Sequence, residues 1–122
     1  MTAVLLWTGV MACGGVGAVA RLVIDGAITQ RLQGGLPYGT LAINLSGAFV
    51  LGLLDGWVLP TDLALLVGTG LIGAYTTFST WMYETHRLIE GRQHRDALAN
   101  IVVSSALGVL GAALGLWIGG LL

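Results

Sequence analysis

Long apolar stretches separated by short polar segments define the organisation of the chain. Four such stretches run at about 3–24, 37–58, 63–85 and 97–120. Each is close to the ~20 residues that a helix needs to cross the hydrocarbon of a bilayer. No repeat, linker or low-complexity segment divides the chain. The pattern predicts an all-α membrane protein in which residues 1–122 form a single domain of four transmembrane helices.

The third stretch is interrupted by small and hydroxyl-bearing residues. Its centre reads Gly70-Leu71-Ile72-Gly73-Ala74-Tyr75-Thr76-Thr77-Phe78-Ser79-Thr80-Trp81. Hydrocarbon offers no hydrogen-bond partner, so irregular backbone at this depth survives only against protein or a water-filled cavity. Broken membrane helices with polar side chains are typical of ion and substrate sites. We therefore predict a broken third helix that carries the functional site.

Composition supports a membrane protein and excludes several other classes. Of the 122 residues, 56% are hydrophobic and 9% are charged, whereas soluble domains carry about 25% charged residues. The net charge is −1, so a nucleic-acid partner is not expected. The single cysteine, Cys13, excludes an internal disulfide. Because no positioned nucleophile, phosphate-binding loop or metalloenzyme motif is present, we predict that the protein is not an enzyme.

Glycines recur at four-residue spacing in the second and fourth apolar stretches. These are Gly52 and Gly56, followed by Gly111, Gly115 and Gly119. Such spacing places the glycines on one helix face and lets two backbones approach closely. Tight packing inside one subunit explains the pattern. Since four short helices can hardly enclose a polar path alone, we also expect these faces to form an oligomer interface.

Uncharged polar side chains lie deep in the second and fourth stretches. Asn44 needs hydrogen-bond partners away from water, either across a helix interface or by donating its NH2 group to a passing anion. Asn100 and Ser104 are four residues apart and therefore share one helix face. The acidic residues Asp55 and Glu84 lie near helix ends, whereas proton-coupled antiporters normally need a carboxylate at membrane depth. This pattern favours passive conduction.

These segments resemble the Fluc (CrcB) family of small fluoride channels. The resemblance is carried by residues 14–21, residues 39–47, the interrupted third stretch and the Ser104/Gly108 spacing. It implies a passive fluoride-selective channel in the plasma (inner) membrane of a prokaryote, which exports fluoride and so relieves its toxicity. It also implies an antiparallel, dual-topology dimer with two fluoride pathways and one structural Na⁺ at its centre.

The resemblance assigns roles to individual residues. The backbone carbonyls of Gly73 and Thr76 would hold the Na⁺, and Arg21 would have an interface or structural role. Glu84 matches a carboxylate of the channel vestibule, although a solvated helix-end position explains it equally well. The fluoride path would be lined by Asn44, Thr77, Phe78, Ser79, Trp81, Asn100 and Ser104.

The chemistry of such a path follows from the properties of fluoride. An unpaired ion in a low-dielectric medium costs tens of kcal/mol, so several amide and hydroxyl donors must replace its hydration shell. Aromatic rings have a positive edge, which lets an anion pass edge-on. Three residues depart from the family pattern: Trp81 replaces a phenylalanine, Ala74 a common glycine, and Asn100 a frequent tyrosine. We expect function to survive with altered conductance.

The arginines lie on one side of the predicted helices. All five fall on or beside the first and third loops: Arg21, Arg31, Arg87, Arg92 and Arg95. The positive-inside rule then favours one orientation, whereas an antiparallel homodimer needs both. We expect the dual-topology homodimer and keep a heteromeric pair with an oppositely oriented homologue as the alternative.

Two other functions compete with the fluoride channel. A small multidrug or cation antiporter shares the size and helix number but requires the deep carboxylate that this chain lacks. A non-transporting assembly protein would use the glycine-rich faces but would leave the broken third helix unexplained.

Overall fold

The computed structural model describes all 122 residues and contains helices as its only regular elements. They are α1 (Ala3–Arg31), α2 (Tyr38–Trp57), α3 (Thr61–Ala64), a π-helical segment (Leu65–Ile72), α4 (Gly73–Tyr75), α5 (Ser79–Glu90) and α6 (His94–Gly119). Four runs are long and apolar enough to cross a membrane: α1, α2, α6 and the interrupted run Thr61–Glu90. The predicted all-α membrane fold with four spans is confirmed.

The first helix is longer than the apolar pattern indicates. The hydroxyl of Thr2 caps its start by accepting from the backbone N–H of Leu5 at 3.4 Å. The helix then continues past residue 24 to Arg31. The polar residues after position 24 include no proline, and the paired glycines that favour a loop, Gly34 and Gly35, come only after the helix has ended. Most of the predicted first loop is therefore helix.

The α2 and α6 helices pack together along their glycines. Four glycines meet the backbone of the opposite helix: Gly52, Gly56, Gly115 and Gly119. A Cβ atom on Gly52 would overlap the carbonyl oxygen of Ala112, and one on Gly115 would overlap that of Phe49. Such an approach requires glycine. These faces are thus occupied within one subunit, and the expectation that they also form an oligomer interface is wrong.

The third span packs against α1 rather than against α6 along its first half. Gly17 of α1 is buried, and a Cβ atom there would overlap the carbonyl oxygen of Leu71. Gly70 approaches α1 in return, since its Cβ would lie 2.8 Å from the carbonyl oxygen of Val10. After the break the same span crosses over, and α5 packs against α6. The break therefore lies where the span changes its packing partner.

The third span is broken at residues 76–78, as the sequence predicts. Thr76 has an extended backbone, with φ −82° and ψ 160°. The sequence analysis did not predict the π-helical segment at Leu65–Ile72. In a π-helix each N–H bonds to the carbonyl five residues back, and such segments are frequent at functional sites. The Gly68-Thr69-Gly70 cluster lies within it, but similar clusters also occur in regular helices, so this signal is not specific.

Candidate functional site

Asn44 of α2 forms hydrogen bonds to the backbone at the break in the third span. Its Nδ2 donates to the backbone carbonyl of Thr77, and its Oδ1 accepts from the backbone N–H of Thr77, both at 2.8 Å. The break deprives Thr77 of helical partners, and the side-chain amide replaces both of them. Buried backbone groups without partners are costly, so Asn44 stabilises the interruption. The second N–H of its Nδ2 group is left free for another acceptor.

We expect Asn44→Asp to lower both stability and ion flux. Aspartate keeps an acceptor for the Thr77 N–H but turns a carboxylate oxygen towards the Thr77 carbonyl, and the two repel each other. Loss of the donor and burial of a charge should destabilise the fold by about 2–4 kcal/mol. Thermal unfolding in detergent measures the stability, and fluoride efflux from liposomes measures the flux.

The uncharged variant Asn44→Leu is the matched control for this experiment. It has a similar size and removes both bonds to Thr77 without adding a charge. Destabilisation in both variants would confirm the structural role of the amide. Wild-type flux in the aspartate variant would remove Asn44 from any anion path, because a carboxylate at that depth should repel fluoride.

The break frees the two carbonyls that the resemblance assigns to Na⁺. In a regular helix the N–H of Thr77 would bond to the carbonyl of Gly73, but here it bonds to Asn44. The N–H of Thr80 would bond to the carbonyl of Thr76, but it donates to the hydroxyl of Thr77 at 3.2 Å. The carbonyl oxygens of Gly73 and Thr76 are consequently available to a cation, and carbonyl oxygens are suitable ligands for one.

An aromatic pair follows the break. The rings of Phe78 and Trp81 meet edge to face, with centroids 5.8 Å apart and planes at 80°. Phe78 is 69% exposed in the single chain. The pair borders an open groove of about 360 Å³ between α2 and the third span. That groove brings together six residues singled out in the sequence: Asn44, Gly73, Thr76, Thr77, Phe78 and Trp81.

Asn100 and Ser104 lie on the other side of Trp81. The indole Nε1 of Trp81 donates to the backbone carbonyl of Asn100 at 3.3 Å. The Asn100 side chain donates to the hydroxyl of Thr85 at 2.8 Å and accepts from the hydroxyl of Ser104 at 3.4 Å. The structure therefore places both predicted residues in one cluster with Trp81, together with Thr85, which the sequence analysis did not single out.

The hydroxyls at the break differ in exposure. Thr77 is buried, whereas Ser79 is exposed, and their oxygens lie 3.5 Å apart. The Thr77 hydroxyl already accepts from the backbone of Thr80. Ser79 is thus the more accessible donor of the two, and both remain candidates for the anion path.

Arg21 lines a small cavity that reaches the break. This cavity of about 120 Å³ is bounded by Arg21, Asp25, Thr40, Thr77 and Thr80. Arg21 forms no ion pair, so its guanidinium adds a positive charge beside three hydroxyls, with the Asp25 carboxylate on the same lining. Such a lining suits a small anion, although Asp25 opposes it. Sequence reasoning missed Thr40 and Thr80 here, despite their places within the family motifs, because it judged each helix alone.

Glu84 lies at the loop end of the same region. The hydroxyl of Thr40 donates to its Oε1. Glu84 and Arg87 line an open polar cavity of about 470 Å³ beneath the loop that joins α1 and α2. The carboxylate is therefore half-buried and bonded to α2, and its role in a channel vestibule stays a prediction.

Comparisons with known proteins identify the family of the chain. The family described as "CrcB-like protein, Camphor Resistance (CrcB)" matches residues 8–116. The chain is 57% identical over 115 residues to "Fluoride-specific ion channel FluC 2" of Mycobacterium tuberculosis (strain ATCC 25618 / H37Rv), covering 94% of this chain and 91% of that protein. It is 49% identical over 121 residues to "Fluoride-specific ion channel FluC 1" of Leifsonia xyli subsp. xyli, covering 96% and 88%.

The chain is also similar to a more distant fluoride channel. The chain is 40% identical over 120 residues to "Fluoride-specific ion channel FluC 1" of Symbiobacterium thermophilum, covering 93% of this chain and 96% of that protein. These bacterial relatives and the four spans identify a multi-pass prokaryotic membrane protein that is not an enzyme. The chain belongs to the CrcB family of fluoride ion channels.

Proposed function

We propose that this chain conducts fluoride passively and selectively out of the cell, so that toxic fluoride leaves down its electrochemical gradient. The observation that carries the proposal is the groove at the break, where two aromatic rings and uncharged polar side chains meet without a carboxylate. A dehydrated anion needs such donors, and a passive path needs no proton-exchanging group. The antiporter considered from the sequence has no support in this groove or in the family.

The proposed fluoride path combines donors with ring edges. The cavity beside Arg21 reaches Thr77, and the groove on the other side of the break contains Asn44 and Phe78. The free N–H of Asn44 and the hydroxyls of the path residues would replace water around the ion. These hydroxyls belong to Thr77, Ser79 and Ser104, of which Ser104 would have to turn its O–H away from the Asn100 side chain to reach the ion. A narrow path of this kind favours fluoride because a larger halide cannot make equally short contacts.

We infer that two chains are needed to complete the path. Phe78 and Gly73 are exposed on the open side of the groove, so a second copy would have to enclose the ring edge. An antiparallel, dual-topology homodimer would do so twice, with two separate pathways. A heteromeric pair is the second candidate, because all five arginines lie on one side and the relatives carry the numbers 1 and 2.

A structural Na⁺ at the dimer centre is part of the same proposal. The carbonyl oxygens of Gly73 and Thr76 lack their helical N–H partners, and both residues border the open groove. Two copies of the break meeting at a two-fold axis would bring these oxygens together as the ion's shell. The ion would then neutralise carbonyl dipoles that otherwise face one another across the interface.

Fluoride efflux from liposomes that contain the purified chain tests the proposal. A fluoride electrode records release after a potassium ionophore is added, and chloride-loaded liposomes are the control. We expect rapid fluoride release without chloride release, and crosslinking should show an antiparallel dimer. If the chain alone is inactive but conducts with a co-reconstituted homologue, the heteromeric pair is correct. Inactivity in both preparations would overturn the channel proposal.

A further inference from the structure

A closed ring of hydrogen bonds joins α5 to α6 beside the aromatic pair. The indole N–H of Trp81 donates to the backbone carbonyl of Asn100 at 3.3 Å. The Asn100 amide donates to the hydroxyl of Thr85 at 2.8 Å. That hydroxyl donates in turn to the backbone carbonyl of Trp81 at 2.9 Å. The ring therefore begins and ends at Trp81 and crosses the helix interface twice.

The ring is buried and its members are bonded to one another. Asn100 is 2% exposed and Thr85 is 4% exposed. No buried side-chain donor or acceptor of the chain lacks a partner. The amide of Asn100 is occupied on both sides, since its oxygen also accepts from Ser104. Buried networks that are fully satisfied restrict their members to one arrangement, and this one restricts the contact between α5 and α6.

The ring controls the orientation of the indole. A tryptophan side chain has several allowed rotamers, and its N–H selects the one that reaches the Asn100 carbonyl. In that rotamer the indole packs edge to face with Phe78, at 80° between the planes. A side chain one helical turn away can thus determine which part of the indole borders the groove, without lining the groove itself.

We infer that Thr85 and Asn100 are positioning residues that hold the Trp81 ring in the orientation required for fluoride passage. This inference rests on the proposed function. It gives Asn100 an indirect role, since its amide bonds to Thr85 and Ser104 rather than to the ion. It also links two departures from the family pattern, because the indole N–H of Trp81 bonds to the backbone carbonyl of Asn100 and the Asn100 side chain bonds to Thr85.

Two substitutions of Thr85 separate its hydroxyl from its volume. Thr85→Val keeps the branched shape but removes both hydrogen bonds, whereas Thr85→Ser keeps the hydroxyl. We expect the valine variant to lower fluoride efflux by about fivefold to tenfold, the lower end of the range expected for losing two buried hydrogen bonds. The serine variant should conduct like the wild type. Equal efflux from the valine and wild-type proteins would overturn the inference.

A double-mutant cycle tests whether Thr85 acts through Trp81. Trp81→Phe retains an aromatic ring but has no N–H for the network to hold. In that background Thr85→Val should change efflux little, because the group that it positions is absent. The same fold-loss in both backgrounds would show that the two residues act independently, which would overturn the inference while leaving the channel proposal intact. A wild-type protein that conducts no fluoride would overturn both.

An indole NMR signal gives a readout that does not depend on flux. Selective ¹⁵N labelling of the four tryptophans yields their N–H signals, and Trp81→Phe identifies the one from Trp81. We expect Thr85→Val to shift that signal alone and Thr85→Ser to restore it. An unchanged Trp81 signal in the valine variant would show that Thr85 does not position the indole.

Discussion

Phe78→Ile should block fluoride efflux while leaving the fold and the proposed dimer intact. An aliphatic side chain has no positive ring edge, so the dehydrated ion loses a partner where water is scarce. We expect efflux to fall by about two orders of magnitude, which corresponds to about 2.7 kcal/mol in the barrier. Efflux from liposomes measures the flux, and gel filtration in detergent measures the assembly.

The exposure of Phe78 separates an effect on fluoride flux from an effect on folding. The side chain is 69% exposed in the single chain, so the substitution removes little of the subunit's own packing. Trp117→Ile is the matched control, since Trp117 is a 65% exposed aromatic residue on α6. It should conduct normally. Normal flux in the Phe78 variant would remove the ring from the fluoride path, and loss of the dimer would point to an interface role instead.

Gly115→Ala should strongly destabilise the subunit. A Cβ atom at this position would overlap the carbonyl oxygen of Phe49, and backbone atoms cannot rotate away as a flexible side chain could. The α2 and α6 helices must separate, and overpacking of this kind costs about 1–3 kcal/mol or more. Thermal unfolding in detergent, followed by tryptophan fluorescence, measures the loss.

Gly108→Ala provides the control on the same helix. No atom lies within 4 Å of a Cβ added there, so the methyl group meets open space. Alanine in a helix interior is favoured over glycine by about 0.5–1 kcal/mol, and the control should be at least as stable as the wild type. Equal stability of the two variants would show that the close α2–α6 contact is not needed for folding.

Asn44 shows how a structural and a functional role can share one residue. Its amide replaces the helical partners of Thr77, and the remaining N–H is available to the anion path that we propose. The sequence analysis left both interpretations open. The structure shows the structural role of Asn44 directly. An amide is needed because it donates from one atom and accepts at another, whereas a hydroxyl has a single oxygen and an ionised carboxylate cannot donate.

The sequence predicted most of the architecture because the bilayer imposes strict local rules. Span length and hydropathy predicted four membrane helices, and glycine followed by clustered hydroxyls predicted the break. The family motifs placed Asn44, Phe78 and Trp81 in the site, and the groove contains all three. The end of α1 was underestimated, since polar residues outside the hydrocarbon continue the helix without an apolar signal.

Helix partners were much harder to predict. The same four-residue glycine spacing fits contact within a chain or between chains, because in both cases it only provides a flat helix face. In the structure the faces of Gly52 and Gly115 are occupied inside the subunit. Likewise, spacing placed Asn100 and Ser104 on one face of α6 but could not show that Trp81 and Thr85 lie opposite them.

By itself, the sequence determined the number of spans, the position of the break and the uncharged character of the site. These properties depend on residues close together in the chain, and a hydrocarbon solvent permits few alternatives to a helix. Only the tertiary structure decided that Asn44 bridges the break, that Arg21 lines a cavity reaching Thr77, and that Thr85 and Asn100 enclose Trp81 in one hydrogen-bond ring. Each of these contacts joins residues on different helices, and their geometry depends on helix packing that no local pattern records.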